Sequence, residues 1–215
     1  IDLIGRTRAQ AVLPSEQVCC GLPALGFGDR EGAQALAIKN LMAFERAGVD
    51  TVVVACASCG SALKEYYPRL LAGEDPVLAQ RMKAFSLKVR DISEYLVERG
   101  FLPARRMFRA TYHDPCHLRR GMGVTEAPRL LLRAALNSHF VEMSEPCRCC
   151  GFGGSFNLKY YDFSLKVLER KIGSILTTQA ETVITGCPGC MMNIQDGLAH
   201  AGSPVQVRHL VEVLE

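Results

Sequence analysis

The chain has 215 residues, 48% of them hydrophobic and 22% charged, with a net charge of +3 from 25 Lys and Arg against 22 Asp and Glu. This is the composition of a folded chain long enough for one large domain or two small ones, and it excludes a disordered tail, a coiled coil and a collagen-like repeat. No basic stripe interleaves with aromatics, which argues against a nucleic-acid partner, and no apolar run reaches the ~20 residues of a membrane helix.

The unusual component is ten cysteines. A small secreted domain would use them as a disulfide framework. This chain has apolar residues enough for a core, and it groups its cysteines in adjacent pairs and C-x-x-C sets, a spacing that suits soft-metal ligation. In chain order, the first landmark is Cys19-Cys20-Gly21. An amphipathic helix is predicted over 32–47, with Leu36, Leu41 and Phe44 as its apolar stripe. The β-branched run 51–55 reads as a buried parallel strand that ends in Cys56-Ala57-Ser58-Cys59. Residues 89–96 read as a short strand end running into a helix, and 100–106 as a join.

Beyond the join the text repeats. A strand over 107–112 runs into His113-Asp114-Pro115-Cys116. Cys149-Cys150-Gly151 follows, 130 residues after its first occurrence. A helix is predicted over 161–177, with Leu165, Leu168 and Ile172 on its apolar side, and a strand over 182–186 that ends in Cys187-Pro188-Gly189-Cys190. Thirty-four residues lie between Gly21 and Cys56, and thirty-five between Gly151 and Cys187. Residues 207–214 match 89–96. Strand–helix order written twice implies two α/β units with parallel sheets and right-handed crossovers, packed about a pseudo-twofold axis. The expected division is 1–104 and 105–215. Ligands of open parallel sheets sit beyond the carboxyl ends of the strands, where Cys56 and Cys187 fall.

The first copy lacks a counterpart of the strand before Cys116 and of Cys116 itself. By the spacing of the second copy both belong upstream of Ile1, so the first unit is expected to lack its opening strand and one ligand, and the chain to be part of something longer. No signal-peptide apolar region opens the sequence.

Several thiolates converging from separate segments are what a metal cluster needs. Pro188 suits the first turn of a helix, whose N-terminus favours thiolate over thiol. Adjacent cysteines can both point inward only from a turn, which Gly151 permits by tolerating positive φ. Gly153 and Gly154 are expected to let backbone N–H groups approach sulfur. Structural packing, a thioredoxin-type C-x-x-C and a zinc site compete with this reading; zinc fits each half arithmetically. Cys147 has no counterpart, since Gln17 occupies its place, and reads as a free thiol or one placed just behind the ligands. His113 and His117 flank Cys116 and can hydrogen-bond sulfur, relay protons, or simply satisfy backbone groups. His139, His200 and His209 read as surface or cap residues, Tyr66, Tyr67, Tyr160 and Tyr161 as packing. Arg105, Arg106, Arg119 and Arg120 read as solvated, or as a basic rim that could help dock an acidic partner.

The order of a lone cysteine, some thirty residues, Cys-Cys-Gly, some thirty-five more and C-x-x-C resembles the cysteine-rich CCG domain. That domain is duplicated in the cysteine-rich component of heterodisulfide reductase and in iron–sulfur subunits of glycolate, lactate and glycerol-3-phosphate oxidoreductases. The text from Cys149 to Phe156 is most similar to the 2-hydroxyacid oxidase branch. The resemblance implies a non-cubane 4Fe–4S cluster held by Cys116, Cys149, Cys150, Cys187 and Cys190. It implies a second held by Cys19, Cys20, Cys56 and Cys59 with an upstream cysteine; as given, that site would hold an iron–sulfur cluster or zinc, or be empty. The function implied is electron transfer from a flavin-containing hydroxyacid dehydrogenase subunit to a quinone or other carrier, with a ferredoxin-like upstream domain or subunit, in the cytoplasm or at the membrane through a partner. The alternatives are reductive disulfide cleavage at the cluster and a zinc-stabilised assembly module.

Overall fold

The computed structural model of the chain describes residues 1–73 and 75–215. The β-branched runs form short parallel strands: β1 (Val52–Val54), β2 (Val89–Asp91), β3 (Ala110–Tyr112), β4 (Thr182–Thr185) and β5 (Gln206–His209). β1 pairs with β2, Val52 opposite Val89 and Val54 opposite Asp91. β3, β4 and β5 make a second sheet in that order, with Ile184 between Tyr112 and Arg208. A parallel bridge from Ala110 to Phe140 adds one further position beside β3. β1 therefore corresponds to β4 and β2 to β5, and among the described residues β3 has no counterpart in the first half. This is the expected pair of parallel α/β units, the first without its opening strand.

The two long crossover helices lie at Arg30–Arg46 and Tyr161–Leu176. Asp29 starts the first by accepting a hydrogen bond from Gly32 N at 2.8 Å, an N-cap worth about 1 kcal/mol. Its buried line runs through Ala33, Ala37 and Leu41 rather than Leu36, which is only half-buried. The reason is steric: a Cβ at Gly21 would stand 3.3 Å from the Ala33 carbonyl, so the Cys-Cys-Gly turn sits directly on this helix and selects small residues beneath it. The second helix buries Leu168 and Ile172 as the pattern requires, together with Ile175, while Leu165 is half-buried.

Between β1 and β2 the chain makes a helix at Ala57–Ser61, a π-turn at Ala62–Tyr66 and helices at Tyr67–Leu70 and Pro76–Leu87. A second π-turn, His117–Met122, follows Cys116. Ala57–Ser61 packs against this turn at close range. A Cβ on Gly60 would collide with Met122 Sδ, and one on Gly121 with Ser61 Oγ.

The apolar interior has two parts. One joins Ala33, Leu41, Val52 and Tyr67 to Leu118, Leu168, Ile172 and Ile194; the other joins Leu3, Ile92 and Leu96 to Tyr112, Leu132, Ile184 and Val213. Both draw residues from both halves of the chain.

Asp91 ends β2 and caps the helix Ile92–Glu98, accepting from Ser93 N at 2.9 Å and from Ser93 Oγ. Burial raises its pKa to about 6 against the pull of the Ser93 hydrogen bonds. Between the unfolded carboxyl's pKa and that value the unfolded chain has lost a proton that the native chain keeps, so stability falls as pH rises through this window. The loss is on the order of 3 kcal/mol. Asp91→Asn keeps a capping side chain but does not titrate. The stability of the wild type relative to this variant should therefore drop by up to that amount from pH 4 to pH 6.5, as measured by denaturant unfolding.

Candidate metal centre

Cys56 follows β1 and caps Ala57–Ser61 with φ −140° and ψ 114°; Cys187 follows β4 and caps Pro188–His200 with φ −141° and ψ 113°. The same extended-to-helix switch thus presents both first cysteines of the C-x-x-C sets. Their turns close through Gly60 N to Cys56 O at 2.8 Å and Met191 N to Cys187 O at 3.0 Å. The two turns also meet: Ala57 N donates to Gly186 O at 3.0 Å, so the carboxyl ends of the two sheets abut.

The Cys-Cys-Gly turns approach from the side. Gly21 has φ +77° and Gly151 φ +88°, the left-handed region that turns both preceding cysteines to one focus. Gly151 N donates to Cys149 Sγ at 3.3 Å, and the Phe152 and Leu22 N–H groups reach Cys150 and Cys20 in the same way. Among the described residues Gly153 and Gly154 make no such bond; the amides that reach sulfur belong to residues immediately after the cysteines. Phe152 instead lays its ring on Gly189, where a Cβ would come within 2.8 Å. At Gly151 a Cβ would stand 2.6 Å from the Ser164 carbonyl, in a backbone conformation that disfavours side chains. Gly151→Ala should destabilise the chain by about 2 kcal/mol or more and lower the metal content of the second site, read by denaturant unfolding and metal analysis.

Two buried asparagines hold these turns. Asn193 Nδ2 donates to Cys150 O at 2.6 Å, with Ser164 Oγ bonding Gly151 O at 2.9 Å. In the first half Asn40 Nδ2 donates to Cys19 O at 3.1 Å and to the Tyr67 hydroxyl at 2.8 Å, while its Oδ1 accepts from Val18 N at 2.9 Å. Sequence reasoning passed over both. The readable signal was an amide on the otherwise apolar face of a helix.

The nine repeat cysteines are free thiols joined in one continuous run. Cys19 neighbours Cys20, Cys20 neighbours Cys59, and Cys59 neighbours Cys56, each pair close enough to shift the other's ionisation. Cys56 then faces Cys187 across the junction of the halves. Cys187 continues to Cys190, whose Sγ is 3.4 Å from Cys150 Sγ, and the run ends through Cys149 at Cys116. Where the sequence described two sets, the structure brings them into contact. The interior members Cys150, Cys187 and Cys190 are buried, while Cys19 and Cys149 are exposed. Cys147 is exposed, and no hydrogen bond joins it to the run among the described residues.

Crowding splits the thiols electrostatically. Cys187 is held far below the usual thiol range by hydrogen bonds from Cys190 and then Cys56, and Cys149 by those from Cys116 and then Cys150. Cys20 falls to about 6 through Cys59. Their donors are pushed up in turn: Cys150 to about 12 by Cys149, and Cys59, Cys116 and Cys190 further. Neighbouring sulfurs can all become thiolates only if cations stand among them. This donor set fits a multi-iron centre. Five thiols in the second half exceed the four positions of tetrahedral zinc, whereas the first half's four match it.

Polar groups surround the junction. Ser58 Oγ lies 3.4 Å from Cys187 Sγ and 3.0 Å from His117 Nδ1, linking the first half's C-x-x-C turn to the second half's sulfur. His113 is buried, and burial followed by the nearby Lys171 charge lowers its pKa to about 3, so the ring is neutral. Lys171 is itself buried, its Nζ bonded to the Glu145 and Pro146 carbonyls at 2.5 and 3.1 Å, and burial lowers its pKa to about 8. The turn carrying Cys116 is pinned by Asp114, fully buried, whose Oδ2 accepts from Arg119 at 3.2 Å and Arg129 at 3.3 Å; Arg129 also grips Glu142 with two bonds of 3.0 Å. Arg119 and Arg106, read as solvated, both have partners, the latter bonding Val213 O at 3.1 Å. His209 caps the last helix as expected, and His200 is exposed beside Asp196.

The model of a family described as a cysteine-rich domain, CCG, matches residues 1–64 and 110–195. Over its full length the chain is 33% identical to lactate utilization protein A of Exiguobacterium sp., of which it covers 88%. It is 35% identical, again over its full length, to the probable glycolate oxidase iron-sulfur subunit of Bacillus subtilis, covering 49% of that protein. Over 94% of its length it is 36% identical to one subunit of the fumarate reductase (CoM/CoB) of Methanothermobacter marburgensis, covering 39%. The chain thus spans most of the first relative and half or less of the other two. No helix among the described residues is long and apolar enough to cross a membrane.

Proposed function

Since the chain belongs to the cysteine-rich CCG family, we propose that its two cysteine sets carry iron–sulfur centres and that it is the electron-transfer part of a lactate- or glycolate-type 2-hydroxyacid oxidoreductase. The observation that carries the reading is the unbroken run of nine free thiols through the junction of the two units. Cys116, Cys149, Cys150, Cys187 and Cys190 are the ligands of the second centre, a 4Fe–4S cluster of non-cubane type. Cys19, Cys20, Cys56 and Cys59 serve the first, and the units divide at 1–104 and 105–215. When bound, such clusters supply one-electron chemistry, taking electrons from a flavin-containing partner and passing them to a quinone or another carrier.

The chain's own residues do the rest. The strand ends and left-handed turns fix the thiols before metal arrives, so little order has to be gained on loading. The N–H groups of Gly151, Phe152 and Leu22 donate to sulfur and stabilise negative charge there. Burial of Cys150, Cys187 and Cys190 keeps water from the middle of the run, whose ends are the exposed Cys19 and the half-buried Cys116. Ten unpaired cysteines fit a reducing compartment, the cytoplasm.

Anaerobic purification followed by iron, sulfide and zinc analysis tests this. The expected protein is brown, with about four irons and matching acid-labile sulfide in the second set. Its electron paramagnetic resonance signal should be bleached or formed on adding a hydroxyacid and its flavoprotein. Zinc without iron would reject the redox reading, and reduction of a disulfide by the reduced protein alone would move the conclusion to catalysis.

A further inference from the structure

Behind the Cys150–Cys190 pair lies a side chain that the thiol run does not use. His113 follows β3, its backbone N bonded to Ile184 O at 2.8 Å, and is 1% exposed. Among the described residues neither Nδ1 nor Nε2 has a hydrogen-bond partner. The ring faces the Pro146 carbonyl, but that oxygen already accepts from Asp114 N at 3.0 Å and from Lys171 Nζ at 3.1 Å, which occupies both of its lone pairs. On the other side, one ring nitrogen, Cys150 Sγ and Cys190 Sγ all lie within 4.8 Å of one another, and all three residues are buried.

Buried polar groups in native proteins are paired, and a sealed imidazole with both nitrogens unspent is a standing cost. A bridging water would need two to four polar partners, and thiols are weak ones. A metal ion is the partner that the geometry offers: a neutral imidazole and two thiols converging from β3, the Cys-Cys-Gly turn and the Pro188–His200 helix make a three-donor grip on one ion. We propose that His113 is a nitrogen ligand of the second centre, sharing a metal ion with Cys150 and Cys190.

The proposal rests on the reading that this cysteine set binds iron. It changes the electrostatics of the site, because imidazole brings a donor without a negative charge. A centre with one nitrogen ligand holds its electrons at a higher reduction potential than one bound by thiolates alone.

The test uses the full chain, loaded and kept anaerobic, with iron content measured first. Pulsed electron paramagnetic resonance on unlabelled and 15N-histidine-labelled protein should show a nitrogen coupling from a directly bound imidazole, which changes on labelling. The coupling should persist in His117→Phe and vanish in His113→Cys. That variant keeps a donor in place and should retain its iron while its midpoint potential falls. An iron-loaded wild type with no histidine coupling, or a coupling that survives in His113→Cys, overturns the proposal while leaving the iron reading intact. A wild type without iron overturns both.

Discussion

Cys149→Ser should cost the second site its metal, about four irons per chain, whereas Cys147→Ser should leave iron and sulfide at the wild-type level. The two cysteines are two residues apart and both exposed, so exposure and local chain position do not separate them. Their surroundings do. Cys149 receives hydrogen bonds from Cys116, Cys150 and the Gly151 N–H, which together make it one of the sulfurs most ready to bind metal as thiolate. Cys147 has none of these partners among the described residues. Serine keeps the shape at position 149 but offers a hard, protonated oxygen where iron needs a soft anion. Metal binding also contributes to folding, so the midpoint of thermal unfolding of the anaerobic protein should fall in Cys149→Ser alone. Equal iron loss from both variants would sink the ligand assignment.

Arg129→Met should destabilise the chain by about 3–5 kcal/mol, the range for leaving a buried charge without its partner. Asp114 is fully buried, one of its carboxylate oxygens has no partner among the described residues, and the other depends on Arg129 and on the half-exposed Arg119. Arg129 also ties in Glu142 and the Thr125 carbonyl at 2.7 Å, and lies over the Tyr112 ring at 5.4 Å. Methionine keeps much of the stem's packing, so the loss reports the charge. Asp114→Asn in the same chain should recover a large part of it. Because Asp114 is two residues from Cys116, metal content should fall with stability in the single variant and return in the double. A change below about 1 kcal/mol in denaturant unfolding, the level of a surface ion pair, would show that this network is not what fixes the Cys116 turn.

Much of this was legible in the sequence because the repeat supplied two readings of each element. The β-branched runs became β1 and β4, and the strand–helix corners at 89–96 and 207–214 reappeared as β2 and β5 with their helices. Local chemistry also read true where it was self-contained, as with the proline after Cys187 at a helix start. What stayed hidden depends on partners far along the chain. Ser58 meets Cys187 across 129 positions, Asn193 reaches Cys150 across 43, and the contact of Cys56 with Cys187 exists only once two sheets are placed end to end. Arg105, Arg119 and Arg120 are exposed as read, but periodicity could not say that the buried Asp114 lies within reach of Arg119, or that Arg106 is half-buried against the Val213 carbonyl. The line Ala33-Ala37-Leu41 went unrecognised because close approach selects small residues, which carry little hydrophobic signal.

Each apolar interior is assembled from both halves, and the halves touch through Ala57 and Gly186 at their common axis. A duplicated gene with that architecture is what the fusion of a symmetric dimer would leave, residues of each copy contributing to both interiors. Fusion would then have freed each copy to drift while both stayed obligate to the other. Ser58 illustrates such drift: it reaches Cys187 of the other half, while its counterpart in the second C-x-x-C set is Gly189.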